Sequence, residues 1–312
     1  MIVSLAPMQG YTDLIYRSTL SLIGGVDVFY APYIKLENGE IKPRYLADID
    51  PLLNKGMTVV PQMLVNNSTD ALLIASTVAD MGYKEVNFNL GCPFPMVVKR
   101  RLGAGLLPHY EQIDAILTSL DSLRNIDVSV KMRIGLNSPS EVWQVVEVLN
   151  RHNIKEVILH PRIGKQQYKG VPDSAIVPQV AARLKHSLAY NGDIRKIDDV
   201  STIKQICSNI DHVMIGRGLL YNPFLALEIK GSPLHLEQRR QILLNFVGTI
   251  AERQLQKLQG AGHFIIKMTN YWEYWSYLFA NQHKVYKSIK KCKRIDEYTD
   301  LVQQIVLSYE WA

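Results

Sequence analysis

The residues that could do chemistry stand at the ends of short apolar runs. Cys92 lies in Asn89-Leu90-Gly91-Cys92-Pro93. Gly91 allows the backbone a tight turn and Pro93 fixes its exit, so the thiol sits on a loop and not in a packed layer. That context opens a catalytic role beside the usual one for a free cysteine, a small buried hydrophobe. Lys131 interrupts Val128-Ser129-Val130-Lys131-Met132. Facing inward, it would need an anion or acceptor to offset its desolvation; facing outward, it would need nothing. Gln62 follows Pro61 near the end of another run and reads equally as a loop amide. His160 closes a third and reads equally as a structural histidine. Asn191-Gly192-Asp193 and Gly216-Arg217-Gly218 close two more. Either could be a plain turn, but two such turns beside an arginine can cradle a phosphate through backbone N–H groups.

The runs that position these residues number eight, at 2–6, 26–31, 58–63, 85–90, 127–133, 156–160, 187–191 and 212–215. They are continuous more than alternating, as expected for a parallel sheet covered on both faces. Helical spacing fills several intervals: 71–81 behind the cap region Asn67-Ser68-Thr69, 110–123, and 140–152 after Pro139. Eight strands with helical crossovers predict an α/β fold, a (β/α)8 TIM barrel over residues 1–230. In such a barrel all the residues above fall on the C-terminal rim, where active sites are built. Beyond about residue 230 the strand signal stops. Pro233 marks a linker, and 234–258, 264–279, 285–293 and 295–309 read as helices. Residues 231–312 are therefore expected to form a small C-terminal α-helical domain.

Composition narrows the class. The formal net charge is +6 and the pI about 9.0, which is compatible with a polyanionic partner. Basic residues concentrate late, including Lys287, Lys290, Lys291, Lys293 and Arg294, with aromatics at 271–279 among them. Tyr271, Trp275 and Leu278 share a helical face and read as core. Lys99-Arg100-Arg101 forms a second basic cluster, either a solvated helix face or an RNA contact. No apolar run reaches the roughly 18 residues of a membrane helix, and the N-terminus reads as a strand, not a signal peptide. Three scattered cysteines predict neither a disulfide framework nor a metal site. A cytoplasmic monomer is the expectation.

Five motifs together resemble one family. Leu5-Ala6-Pro7-Met8-Gln9-Gly10-Tyr11-Thr12-Asp13 is similar to the opening motif of the tRNA-dihydrouridine synthases, and Asn87-Phe88-Asn89-Leu90-Gly91-Cys92-Pro93 to their catalytic strand. Val130-Lys131-Met132-Arg133-Ile134-Gly135 resembles their fifth strand, and the turns at 191–193 and 216–218 their phosphate loops. The resemblance implies an FMN-dependent enzyme, with NADPH as reductant, that converts specific uridines in tRNA to 5,6-dihydrouridine. It implies that Cys92 is the catalytic acid, giving a proton to C5 while hydride reaches C6. A thiol with a pKa near 8.5 suits that role, being neutral at pH 7 yet able to give up its proton. FMN contacts are implied for Ala6, Pro7, Met8, Gln62, Lys131, His160, Asn191, Gly192, Asp193, Gly216 and Arg217. Of these, Lys131 is implied at the flavin N1–O2 edge. Substrate contacts are expected from Asn89, Arg133, Lys99, Arg100, Arg101, Lys290 and Lys291. The target base must leave its stack to enter a rim pocket.

The chain departs from the family pattern twice. It reads His160-Pro161-Arg162-Ile163 where His-Gly-Arg-Thr is usual, so Pro161 is expected to stiffen a turn after the strand. It also reads Phe94-Pro95-Met96 where a lysine commonly follows Cys-Pro. The alternative reading is an FMN barrel oxidoreductase acting on a free pyrimidine, or on ribosomal RNA by the same chemistry.

Overall fold

The computed structural model describes residues 1–312. Eight parallel strands form the frame: β1 (Ile2–Leu5), β2 (Val28–Tyr30), β3 (Val59–Val60, resumed at Gln62–Met63), β4 (Glu85–Leu90), β5 (Asp127–Gly135), β6 (Ile154–Ile163), β7 (Ser187–Asn191) and β8 (His212–Ile215). Each pairs with its neighbour in order, and β8 pairs back onto β1 with Ile2 opposite His212 and Leu5 opposite Ile215. Pro61, which has no N–H to give, splits β3. Val59–Val60 bonds β2, and Gln62–Met63 bonds β4. The two halves close the ring, so the fold is the expected barrel.

Two apolar layers hold it. The outer one lies between strands and helices and runs without a break into the C-terminal region. The inner one is small: Ala6, Tyr30, Val60, Ile158, Ala189 and Met214. Much of the rest of the lumen is polar, because alternate residues of β4 and β5 point inward: Asn87 and Asn89 beside Ser129 and Lys131. Such groups are tolerable only when paired. Glu85 accepts from Ser129 (2.6 Å), Ser129 from Asn87 (2.9 Å), Asn87 from Gln62 (2.8 Å), and Gln62 from Asn89 (2.7 Å). This ladder of side chains climbs from the closed end of the barrel to the rim.

The helix expected at 71–81 spans Ser68–Asp80, with Asn67 accepting from the Asp70 N–H as its cap. Helices at Leu14–Ser21 and Ile197–Ile206 had no counterpart in the sequence reading. The strand expected to stop at His160 continues to Ile163, which corrects the reading of Pro161. Arg133 pairs with His160 and Gly135 with Ile163, so Pro161 and Arg162 together face only Ile134. Pro161 sits in a bulge, where a strand can do without its N–H.

Four helices follow the barrel: Leu236–Lys257, Ala261–Trp275, Gln282–Ile289 and Ile295–Ser308. Tyr271, Trp272 and Trp275 are buried, as their spacing predicts. This region docks on the loop that leaves β1. Lys267 donates to the Gly10 carbonyl (2.7 Å), the Tyr271 hydroxyl to that of Tyr11 (3.1 Å), and Tyr271 stacks on Tyr16.

Candidate active site

A cavity of about 430 Å³ opens at the C-terminal rim. It is lined by Ala6, Pro7, Met8, Gln62, Asn89, Cys92, Lys131, Arg133, His160, Asn191, Gly192, Asp193, Gly216 and Arg217. These include every cofactor residue expected from the sequence. Thr12 shapes the β1 end: its hydroxyl accepts from the Met8 N–H (2.8 Å) and donates to the Ala6 carbonyl (3.2 Å). Asn191 ties β7 to β8 by donating to the Met214 carbonyl (2.8 Å).

Cys92 is held by its backbone. The Asn89 amide oxygen accepts from the N–H groups of Gly91 (3.0 Å) and Cys92 (2.9 Å), while its nitrogen donates to Gln62. Asn89 therefore terminates the lumen ladder on the Cys92 peptide, and only one amide hydrogen remains to face a ligand. On the other side Ala104 donates to the Cys92 carbonyl (3.0 Å), and Gly103 lies against the residue. A methyl group on Gly103 would stand 2.7 Å from the Cys92 oxygen and 2.8 Å from its Cβ. Burial pushes the Cys92 thiol above its ordinary pKa, against the pull of the Phe94 backbone, Lys131 and Arg133. It is a neutral thiol at pH 7.

The cavity wall is cationic. Lys131, Arg133, Arg195 and Arg217 line the cavity, with Asp193 and Glu273 as its carboxylates. Burial pushes the Lys131 ammonium down to about 7, and the nearby Arg133 adds to this. No carboxylate or hydrogen-bond acceptor holds it, so this is a site prepared for an anion. Arg133 donates to the carbonyls of Gly91 (3.1 Å) and Ile163 (2.9 Å), which braces the Cys92 turn from β5. Burial pushes its pKa down to about 10.

Arg162 is the residue that sequence reasoning passed over. It is fully buried and donates to His160 Nε2 (3.2 Å), to both Asp193 carboxylate oxygens (3.1 and 2.5 Å) and to the Gly170 carbonyl (2.6 Å). A guanidinium only donates, so His160 must accept at Nε2 and carry its proton on Nδ1. Burial, then the charges of Arg133, Lys131, Arg162 and Arg217, hold that imidazole well below its usual pKa, in the neutral form. Asp193 in turn accepts from Arg217 (2.6 Å). Burial opposes its ionisation, but the hydrogen bond and charge of Arg162, with Arg217, outweigh that and keep it a carboxylate. Its φ of +41° is a strained value for aspartate, held by these two arginines. Asp193 thereby fixes the position of the Arg217 guanidinium.

Other expected residues lie elsewhere. Lys99, Arg100 and Arg101 are exposed just past the Cys92 turn and outside the cavity. Lys290 and Lys291 are exposed at the end of Gln282–Ile289. Arg294 is paired with Asp296 and Glu297, so it is not a free cation. The cavity also takes in Tyr11, Tyr221, Glu273 and Tyr274, which the sequence reading had not assigned. The Tyr274 ring packs on Tyr11 and Tyr221, so the helical region supplies part of the wall. Gly103-Ala104-Gly105 was a visible signal of close backbone approach that went unused.

Comparison with known proteins gives the family and the fold. The family model described as dihydrouridine synthase (Dus) matches residues 4–308. A tRNA-dihydrouridine(16) synthase of Pseudomonas putida is 29% identical over 237 residues, which is 73% of each chain. One of Ralstonia nicotianae is 27% identical over 235 residues, 73% of this chain and 72% of the other. Among solved structures, the old yellow enzyme from Trypanosoma cruzi is similar with a TM-score of 0.52 at 11% identity, over 75% of this chain and 89% of that one. That last likeness is one of fold.

Proposed function

The chain belongs to the dihydrouridine synthase family, and on that premise we propose that it reduces uridine in tRNA to 5,6-dihydrouridine, with FMN as bound cofactor and NADPH as reductant. The relatives named for position 16 make uridine 16 the proposed target. One observation carries the reading: a neutral thiol, Cys92, shares a single cavity with the unpartnered ammonium of Lys131 and the arginine-flanked turns after β7 and β8.

The residues present fit an anionic flavin nucleotide. Arg217, aimed by Asp193, and the Gly192 and Gly216 turns would hold its phosphate. Gly216 packs so closely on the first loop that a methyl there would stand 3.2 Å from Met8 Sδ. Gln62, His160 through Nδ1–H, and Lys131 would meet the ring.

When bound and reduced, FMN supplies the hydride for uracil C6. The chain does the rest. Lys131 lies desolvated until an anion arrives, and an anion beside it restores its charge. Cys92 keeps a proton for C5, worth about 10²–10⁴-fold for a well-placed acid. Asn89, Arg133 and Ala104 hold the Cys92 backbone from three directions, which fixes where that proton is delivered. His160, kept neutral, adds a donor without a competing acid.

The test is reconstitution with FMN, reduction by NADPH, and mapping of dihydrouridine in an unmodified tRNA transcript, with ribosomal RNA fragments and free uracil as competitors. Dihydrouridine at position 16 of the tRNA is the expected product. Faster oxidation of the reduced protein by free uracil or by ribosomal RNA would overturn the proposal.

A further inference from the structure

The turn after Cys92 carries large apolar side chains into water. Phe94 is 57% exposed and Met96 is 82% exposed. Phe94 lines the cavity, and Met96 projects two residues beyond it. The segment is firmly built. Pro95 opens a single helical turn, Pro95–Val98, in which Phe94 accepts from the N–H groups of Val97 and Val98, both at 2.9 Å. Asn66 ties its end by donating to the Arg100 carbonyl (3.0 Å). The Val98 carbonyl approaches Gly105 so closely that a methyl there would stand 2.5 Å away. The apolar tip is thus held outward by its own backbone. Lys99, Arg100 and Arg101 follow at once, all exposed, and no acidic residue occurs between positions 86 and 110.

We propose that Phe94-Pro95-Met96 is a wedge that enters the RNA stack where the target uridine has left it, while Lys99, Arg100 and Arg101 grip the flanking phosphates. The inference rests on the RNA-substrate reading above and names the contact that reading lacks. Extruding a base leaves a gap between two base faces, and the stack recloses unless something apolar fills it. Met96 is unbranched, polarisable and suited to that gap. The adjoining cations choose the occupant: a polyanion fits a tip backed by three positive charges, and a second copy of this basic chain does not.

The test compares two RNAs with the same sequence around the target. One is a folded tRNA transcript; the other is a short unstructured oligonucleotide whose uridine is already unstacked. Met96→Ser should slow dihydrouridine formation in the folded transcript by about tenfold or more, and leave the oligonucleotide rate within about twofold, because only the folded RNA needs the gap held open. Met96→Leu should restore the rate on folded RNA. A 2-aminopurine placed beside the target should brighten on binding wild type and much less on binding Met96→Ser. Equal losses on both RNAs, no loss on either, or equal brightening would overturn the wedge while leaving the RNA activity standing. A wild-type protein that modifies neither RNA defeats the underlying reading and the wedge with it. A change of sedimenting mass in Met96→Ser without any change on RNA would assign the tip to self-association and also overturn it.

Discussion

Gly103→Ala tests whether the placement of Cys92, and not merely its presence, sets the rate. Gly103 has φ +56°, a left-handed value that costs a residue with a side chain about 1–2 kcal/mol. Its new methyl would also stand 2.7 Å from the Cys92 oxygen, 2.8 Å from Cys92 Cβ and 3.0 Å from its nitrogen. Non-bonded carbons rest about 3.5–4.0 Å apart, so the Cys92 turn must recede by roughly 1 Å. Overpacking of this kind typically costs about 1–3 kcal/mol. The two effects together should destabilise the protein by about 2–5 kcal/mol. The kinetic effect should be of similar size, since a displacement of about 1 Å at a reacting group can cost about 10²-fold, or about 2.7 kcal/mol. Urea titration reads the first quantity. The second needs the half-reactions apart: reduction of bound flavin by NADPH, then its anaerobic oxidation by tRNA. The NADPH step should stay within about threefold and the tRNA step fall about a hundredfold, with Cys92→Ala as the floor. A variant with the stability loss but an unchanged tRNA step would refute the argument that Gly103 positions the acid.

Four further outcomes follow from the same geometry. Cys92→Ala should keep flavin and NADPH oxidation while dihydrouridine formation falls at least about tenfold, and equal loss of flavin would make Cys92 structural. Because the Cys92 pKa is raised, the wild-type tRNA step should hold through neutral pH and decline only as alkaline pH removes the thiol proton; a decline beginning below pH 7 would contradict this. Lys131 is lowered to about 7 in the fold, against about 10.4 in an unfolded chain. The unfolded state therefore binds the extra proton between those values, and flavin-free stability should rise with pH across that window. Lys131→Met should abolish that rise, raise flavin-free stability at pH 7 and weaken FMN binding, all readable by urea titration and fluorescence. Neutralising Lys290, Lys291 and Lys293 together should weaken tRNA binding and flatten its salt dependence by up to about three units of slope, and an unchanged slope would take that patch out of the interface.

Several elements could be read before any coordinates. The runs at 85–90, 187–191 and 212–215 match β4, β7 and β8 to the residue, because each is short and is stopped by a polar or glycine-rich turn. The chemical types at their ends were also legible: a cysteine after Gly91, a lysine inside β5, and an arginine after Gly216. Pro161 misled, because local rules make proline a strand stop and only the pairing partner can show a bulge. The helix at Ile197–Ile206 was missed for want of a strong apolar stripe: Val200 and Ile203 are its buried residues.

The sequence by itself determined which side chains are available and that they cluster on one rim, since strand ends in a parallel barrel share a face. Tertiary structure alone decided what those side chains are bonded to. Asn89 turned out to hold the Cys92 peptide, Arg162 to lock His160 and aim Arg217 through Asp193, and Gly103 to leave room for the Cys92 turn. Each of these depends on distances between segments that lie far apart along the chain or bend back after a turn. Strand register and ring closure set such distances, and neither is encoded in residue type alone.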